Sequence, residues 1–261
     1  MKVAIIGMGT VGRAQAGLFA GHDLVTWDIK DGLPYPYKDI AGCDFAVICV
    51  PTPKGPGGAT DLEAVLDAFS ALPTGVPVLL RSTVPPGTTG QLASVPMRFV
   101  CHVPEFLHER PAAGWPRSAD VPFMIVGGGE IDRAFFVPKL RAVFPGTIHE
   151  CDSLTAELAK YTANLYWAAK VTFVNEMARV CQAAGGDWDD VRAAWLCDHR
   201  VSPAYTRMAG FPPGFGGACW PKDLAALIAA SYARGYDPEF LECIQIANAR
   251  FRKDLETAGE R

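Results

Sequence analysis

No stretch of the chain approaches the ~20 consecutive apolar residues needed to span a bilayer, so no transmembrane helix is expected. A large excess of charge of one sign is also lacking: the formal net charge is −4 over 261 residues, which argues against a nucleic-acid-binding stripe and against attraction to a membrane surface. Cysteine occurs eight times, but never as Cys-x-x-Cys and never with histidine at zinc-ligand spacing. His22, His102, His108, His149 and His199 show no such spacing either, and no metal is expected. The opening "MKVAIIGMG" is too short and wrongly flanked for a signal peptide. A cytoplasmic location follows by default, where thiols stay reduced. Cys43, Cys49, Cys101, Cys181 and Cys197 lie in or beside apolar stretches and read as core filler. There is no internal repeat and no low-complexity segment.

What is present falls into two textures. The first half alternates short apolar runs with helical stretches, as a sheet covered by helices demands. "KVAIIG", "DLVTWD", "DFAVICV", "VPVLLRS", "MRFVC" and "PFMIVGG" are strand candidates. "TDLEAVLDAFSAL" has helical spacing, with Thr60 or Asp61 as its N-cap. Beyond about Cys151 the pattern is helical throughout. A run of some thirty residues starts at Ser153, read as its cap, and stops at Gly185. "DWDDVRAAWLC", "DLAALIAASYARG" and "DPEFLECIQIANARFRKDLETAG" make three more helices. The expectation is an α/β fold with a doubly wound, Rossmann-like dinucleotide-binding domain over 1–151 and an all-helical domain over 152–261.

Gly7, Gly9 and Gly12 form G-x-G-x-x-G between a predicted strand and a predicted helix. The first permits the tight turn, the second lets backbone approach a pyrophosphate, and the third lets helix and strand pack closely. Asp28 ends the next strand, where a carboxylate would bind the ribose hydroxyls of NAD and repel the 2′-phosphate of NADP. Gly7, Met8, Gly9, Thr10, Val11, Gly12 and Asp28 are therefore the candidate NAD-binding residues, and Pro-rich loops at strand ends would complete the cleft.

"GFGGACWPKD", Gly214 to Asp223, sets a cysteine beside a glycine turn and two opposite charges. A thiolate is a nucleophile, and a nearby lysine favours it. The plainer alternative is a small buried cysteine with Asp223 as a helix cap. With "ICVPTP", "RSTVPPGTT", "VPEFLHE" and "AELAKYTANLYWAAKVTFVNEMA" in order before it, the chain resembles the UDP-glucose/GDP-mannose dehydrogenase family over nearly its whole length. That family oxidises the C6 alcohol of a nucleotide sugar to a carboxylate with two NAD.

The resemblance implies roles residue by residue. Cys219 matches the nucleophile that traps the aldehyde and carries the acyl group. Lys160 and Asn164, one turn apart on a predicted helix, match the groups that stabilise the oxyanion and bind substrate. Asp223 and Thr83 match a pair assisting proton transfer, Thr83 also bordering the cofactor. Glu105 matches the carboxylate proposed to activate water, and Glu109 one near the nicotinamide. Pro51 and Thr52 should line the cofactor cleft. Phe106, Leu107, Phe215 and Gly216 should hold the sugar, and Arg200 matches an arginine that reaches a neighbouring subunit's sugar site.

Several features depart from the family pattern. Val103 stands where an asparagine is usual, Arg110 where a glycine is, and Trp220 where a phenylalanine is. The family normally continues into a second nucleotide-binding domain, whereas this sequence runs only about 40 residues past Cys219; a short member is the expectation. Two alternatives to a complete enzyme stay open: a non-catalytic NAD-binding remnant, and a subunit completed by a separate nucleotide-binding partner. The helical half carries more apolar surface than one small domain covers, so a homodimer built on the 153–184 and 238–258 helices is expected.

Overall fold

The computed structural model describes residues 1–107, 121–208 and 212–259, with side chains to Lys253. It divides into two compact units, residues 1–55 with 60–160, and residues 56–59 with 161–261.

The first unit is a seven-stranded sheet in the order β2-β1-β3-β4-β5-β6-β7. Its strands are β1 Lys2–Ile6, β2 Asp23–Trp27, β3 Phe45–Ile48, β4 Val78–Leu80, β5 Val100–His102, β6 Phe123–Gly127 and β7 Thr147–Cys151. β1 to β5 are mutually parallel. β6 joins β5 antiparallel through His102↔Gly127, and β7 lies parallel to β6. Helices α1 Thr10–Leu18, α2 Tyr37–Ala41, α3 Glu63–Ala71, α4 Thr88–Ala93 and α5 Glu130–Arg141 connect them. Successive side chains of a strand point to opposite faces, and β1 divides accordingly. Ala4 and Ile6 pack with Val65 and Phe69 of α3, while Val3 and Ile5 pack with Phe19 and Phe136. Both faces are buried, as a parallel sheet requires.

The long helix α6 Ser153–Ala183 begins in the first unit and continues in the second, which adds α7 Trp188–Trp195, α8 Trp220–Tyr232 and α9 Glu239–Gly259. Its core gathers Tyr161, Leu165, Ala168, Phe215, Leu224 and Ile244.

Two cap assignments need correction. The backbone N–H of Thr155 donates to Asp152 Oδ1 at 2.9 Å and its hydroxyl to Asp152 Oδ2 at 2.6 Å, so Asp152, not Ser153, caps α6. At α3 the N-cap is Leu62, without a side-chain bond, and Asp61 instead forms a local turn by accepting from Glu63 N at 2.9 Å. Gly185, at φ +79°, does stand just past the end of α6, in the left-handed conformation glycine tolerates. Cys197 is exposed and fills no core, whereas Cys101 is buried. Among the described residues no helix is long and apolar enough to cross a membrane.

Candidate functional site

In the first unit the chain reverses its direction of travel across the sheet between β1 and β3, the place where open α/β sheets bind ligands. Gly7 follows β1 there at φ +91°, and a methyl group on it would lie 2.9 Å from the carbonyl of Cys49 at the end of β3. A methyl on Gly12 would collide with the carbonyl oxygen of Gly7. Gly9 is different: nothing lies within 4 Å of where its side chain would be. The outer two glycines are thus required by packing, and the middle one leaves its backbone open to a ligand.

Asp28, after β2, accepts from Met8 N at 2.7 Å and from Lys30 N at 3.0 Å. These N–H groups, Lys30 first, hold its carboxyl below the usual carboxylate range. Each oxygen keeps a lone pair after one bond, so the carboxylate that ties down the glycine loop can still accept from a diol. This loop and carboxylate fit a dinucleotide. Thr10 is exposed, Val11 half-buried, Thr52 buried and Pro51 exposed. Thr83 is half-buried just beyond β4, and Ser82 Oγ donates to Val50 O at 2.7 Å, tying those two strand ends together.

Glu105, beyond β5, is bonded by three groups. Arg81 Nη2 binds its Oε2 as an ion pair, with both side chains nearly buried. Gln15 Nε2 of α1 donates to the same oxygen at 3.3 Å, and Phe106 N donates to Oε1 at 2.9 Å. Gln15, Arg81, Glu105, Phe106 and Leu107 line one cavity of 430 Å³, large enough for several waters. Lys160, only 8% exposed, sets its Nζ 5.0 Å above the Phe106 ring. It is not a solvated surface lysine. Glu109 and Arg110 lie outside the described residues.

In the second unit α6 and α8 bring Asn164 and Asp223 together. Asn164 Nδ2 donates to Asp223 Oδ2 at 2.6 Å, and Lys222 Nζ binds Oδ1 at 2.6 Å. Asp223 is 1% exposed, so its charge is neutralised and hydrogen-bonded in place, as a buried carboxylate must be. The helix-cap reading of Asp223 is therefore wrong. The N-cap of α8 is Cys219 itself, with no side-chain cap bond, and it is exposed, which also removes the buried-cysteine reading.

The glycine loop before Cys219 is clamped from two helices. Asn175 Oδ1 of α6 accepts from Gly214 N at 3.0 Å; Asn248 of α9 accepts from Phe215 N at 2.7 Å and donates to Phe215 O at 3.0 Å. Gly214 has φ +73°, and a side chain there would come 2.5 Å from Asn248 Oδ1. Phe215 is buried, whereas Gly216 is exposed. Arg200 is exposed and paired with Asp198 at 2.7 Å.

Gln15, Arg81, Asn175 and Asn248 were not singled out in the sequence. The last three lie inside quoted motifs or helical runs, but their partners lie 24 to 39 residues away, and no local pattern marks such pairs. Among the described residues no group of three or more His, Cys, Asp or Glu side chains could hold a metal ion.

Comparison with known proteins adds three findings. Residues 154–250 match the UDP-glucose/GDP-mannose dehydrogenase family, central domain. A UDP-glucose 6-dehydrogenase of Pseudomonas aeruginosa is 36% identical over 243 residues, covering 85% of this chain and 52% of that protein; the chain thus spans about half the length of that relative. The structure of a UDP-glucose dehydrogenase from Pyrobaculum islandicum superposes with a TM-score of 0.78 at 27% identity, covering 97% of this chain and 68% of that one.

Proposed function

Since the chain belongs to the UDP-glucose/GDP-mannose dehydrogenase family, we propose that it oxidises the C6 alcohol of a nucleotide sugar, or a related sugar, to the carboxylate with NAD. The observation that carries this reading is the buried Asn164–Asp223 bond. Two residues 59 apart, each matching a catalytic position of the family, meet where a polar pair would otherwise only cost desolvation. In this reading residues 1–151 bind the dinucleotide and the 152–261 region carries the nucleophile and the subunit contacts.

The dinucleotide would be held by Gly7, Met8, Gly9, Thr10, Val11 and Gly12, by Asp28 at the ribose, and by Pro51, Thr52 and Thr83 along the cleft. When bound, NAD accepts a hydride from the sugar carbon, and alcohol-to-acid oxidation consumes two. Phe106, Leu107, Phe215 and Gly216 hold the sugar, and Arg200 serves a neighbouring copy. Asp223, with Thr83, takes part in removing the hydroxyl proton. Cys219 Sγ then forms a bond to the aldehyde carbon, while Lys160 and Asn164 stabilise the negative oxygen. The acyl group left on sulfur after the second oxidation is released by water, whose proton goes to Glu105. The carbon–sulfur bond breaks and the thiolate is regenerated.

The test is NADH formation by the purified chain on a panel of UDP-glucose, GDP-mannose, N-acetylated nucleotide sugars and free sugars. Two NADH per sugar oxidised is expected with at least one nucleotide sugar. Absence of NADH with every member, from a protein that binds NAD, would overturn the reading.

A further inference from the structure

A buried ion pair is a poor source of stability, because desolvating both charges offsets most of their attraction. The Arg81–Glu105 pair, with side chains 7% and 12% exposed, therefore invites another explanation. Arg81 follows β4 directly and Gln15 sits 4% exposed on α1, so the donors reach Glu105 from two elements of the same unit. A carboxylate oxygen has two lone pairs. Among the described residues, Oε2 uses both, for Arg81 and Gln15, whereas Oε1 uses one, for Phe106 N.

We propose that Arg81 and Gln15 are positioning residues that saturate Oε2 of Glu105 and leave Oε1 as the oxygen that takes the proton of the attacking water. This rests on the reading of Glu105 as the group that activates water. The step balances: the water proton moves to Oε1, its oxygen bonds to the acyl carbon, and the Cys219 thiolate leaves. The other titratable groups near the pair are the Cys49 thiol, the His102 imidazole and Lys160. Burial pushes Cys49 up to about 12 and His102 down to about 3, so both are neutral at physiological pH. Arg81 is thus the cation that directly bonds this carboxylate.

The experiment follows Glu105 itself and the reaction separately. In protein labelled with ¹³C at glutamate carboxyls, the Glu105 signal is assigned by its loss in E105Q and titrated in the intact protein, in R81M and in R81K. Removing the cation lets the carboxylate bind a proton more readily, so in R81M the midpoint should rise by about 1–3 pH units, and R81K should restore most of it. The acid limb of the kcat profile should move up with it. An unchanged midpoint in R81M overturns the proposal whether or not the chain makes NADH, whereas a shifted midpoint without NADH formation would indict only the assigned reaction. If R81M does not fold, the R81M/E105Q double variant removes both charges. Its kcat should equal that of E105Q within about twofold, since Arg81 acts only through Glu105. A further tenfold loss would show that Arg81 acts elsewhere.

Discussion

Asp28 ties down Met8 N, and in the proposed function the same carboxylate presents a negative charge where an adenosine 2′ position would lie. Asp28→Ala should therefore weaken NAD binding by loosening the loop as well as by losing a ribose acceptor. Titration of the two cofactors by fluorescence should show NAD preferred in the unmodified protein, and equal affinity for NADP would contradict the assignment. Cys219→Ser should slow turnover by orders of magnitude and leave NAD affinity within about twofold, since the thiol acts only on oxidised carbon; normal turnover would make the cysteine a bystander. His102 carries a different consequence. It is fully buried, its Nδ1–H donates to Leu80 O at 3.0 Å, and burial depresses its pKa to about 3. The unfolded chain takes up this proton near pH 6.5, so below that pH the unfolded state binds more protons and stability falls with falling pH until about pH 3. Between pH 7 and pH 5 the loss is about 2 kcal/mol from this group alone. Urea unfolding at the two pH values should show it, and His102→Leu should reduce the difference by that amount.

Helices and loops carry the next level of consequence. The collision that a methyl on Gly12 would make with the carbonyl of Gly7 is backbone against backbone. Gly12→Ala should therefore push α1 away from the loop and abolish NAD binding while leaving the helical unit folded. Circular dichroism with NAD titration would separate the two effects. Asn248 imitates a strand neighbour for Phe215, bonding both its N–H and its carbonyl. Asn248→Leu leaves both groups buried without partners, at about 1–3 kcal/mol each, and hydrogen exchange at Phe215 should rise sharply. These clamps mark the limit of what the sequence discloses. The glycine spacing, the period of α6 and the cluster around Cys219 are local patterns, and each was readable. β7 was not, because "TIHEC" alternates without an apolar run and is largely exposed. Nor was α5, whose helical spacing is interrupted by Pro138. The true cap of α6 lay one residue before the serine that composition favoured, since either residue type can fill that role. The Glu105 cluster joins Gln15, Arg81 and Phe106 across up to 90 residues, and only folding reveals which donors reach a given carboxylate.

The apolar side chains that the folded chain leaves uncovered are the argument for its expected assembly. Along α6, Tyr166, Phe173 and Val180 are 56%, 52% and 51% exposed, and their seven-residue spacing keeps them on one helix face, the pattern by which helices of separate chains pair. On α9, Phe240 and Ile246 are 69% and 70% exposed. Large apolar side chains in such a row are expensive to leave in water, at about 1.5–3 kcal/mol for each one fully covered, and a second copy of the same face is self-complementary under two-fold symmetry. The expected state is a homodimer held through α6 and α9. Light scattering at micromolar concentration should give twice the mass of one 28.0 kDa chain. Tyr166→Glu combined with Phe173→Glu should shift it to monomer while NAD binding by the first unit persists. In such a dimer Arg200, exposed and held by Asp198 alone among the described residues, would be free to serve the neighbouring copy. Arg200→Ala should then lower activity, and mixing it with a Cys219→Ser variant should recover part of that activity in the heterodimer. A monomer in solution, or no recovery on mixing, would exclude the cross-subunit role.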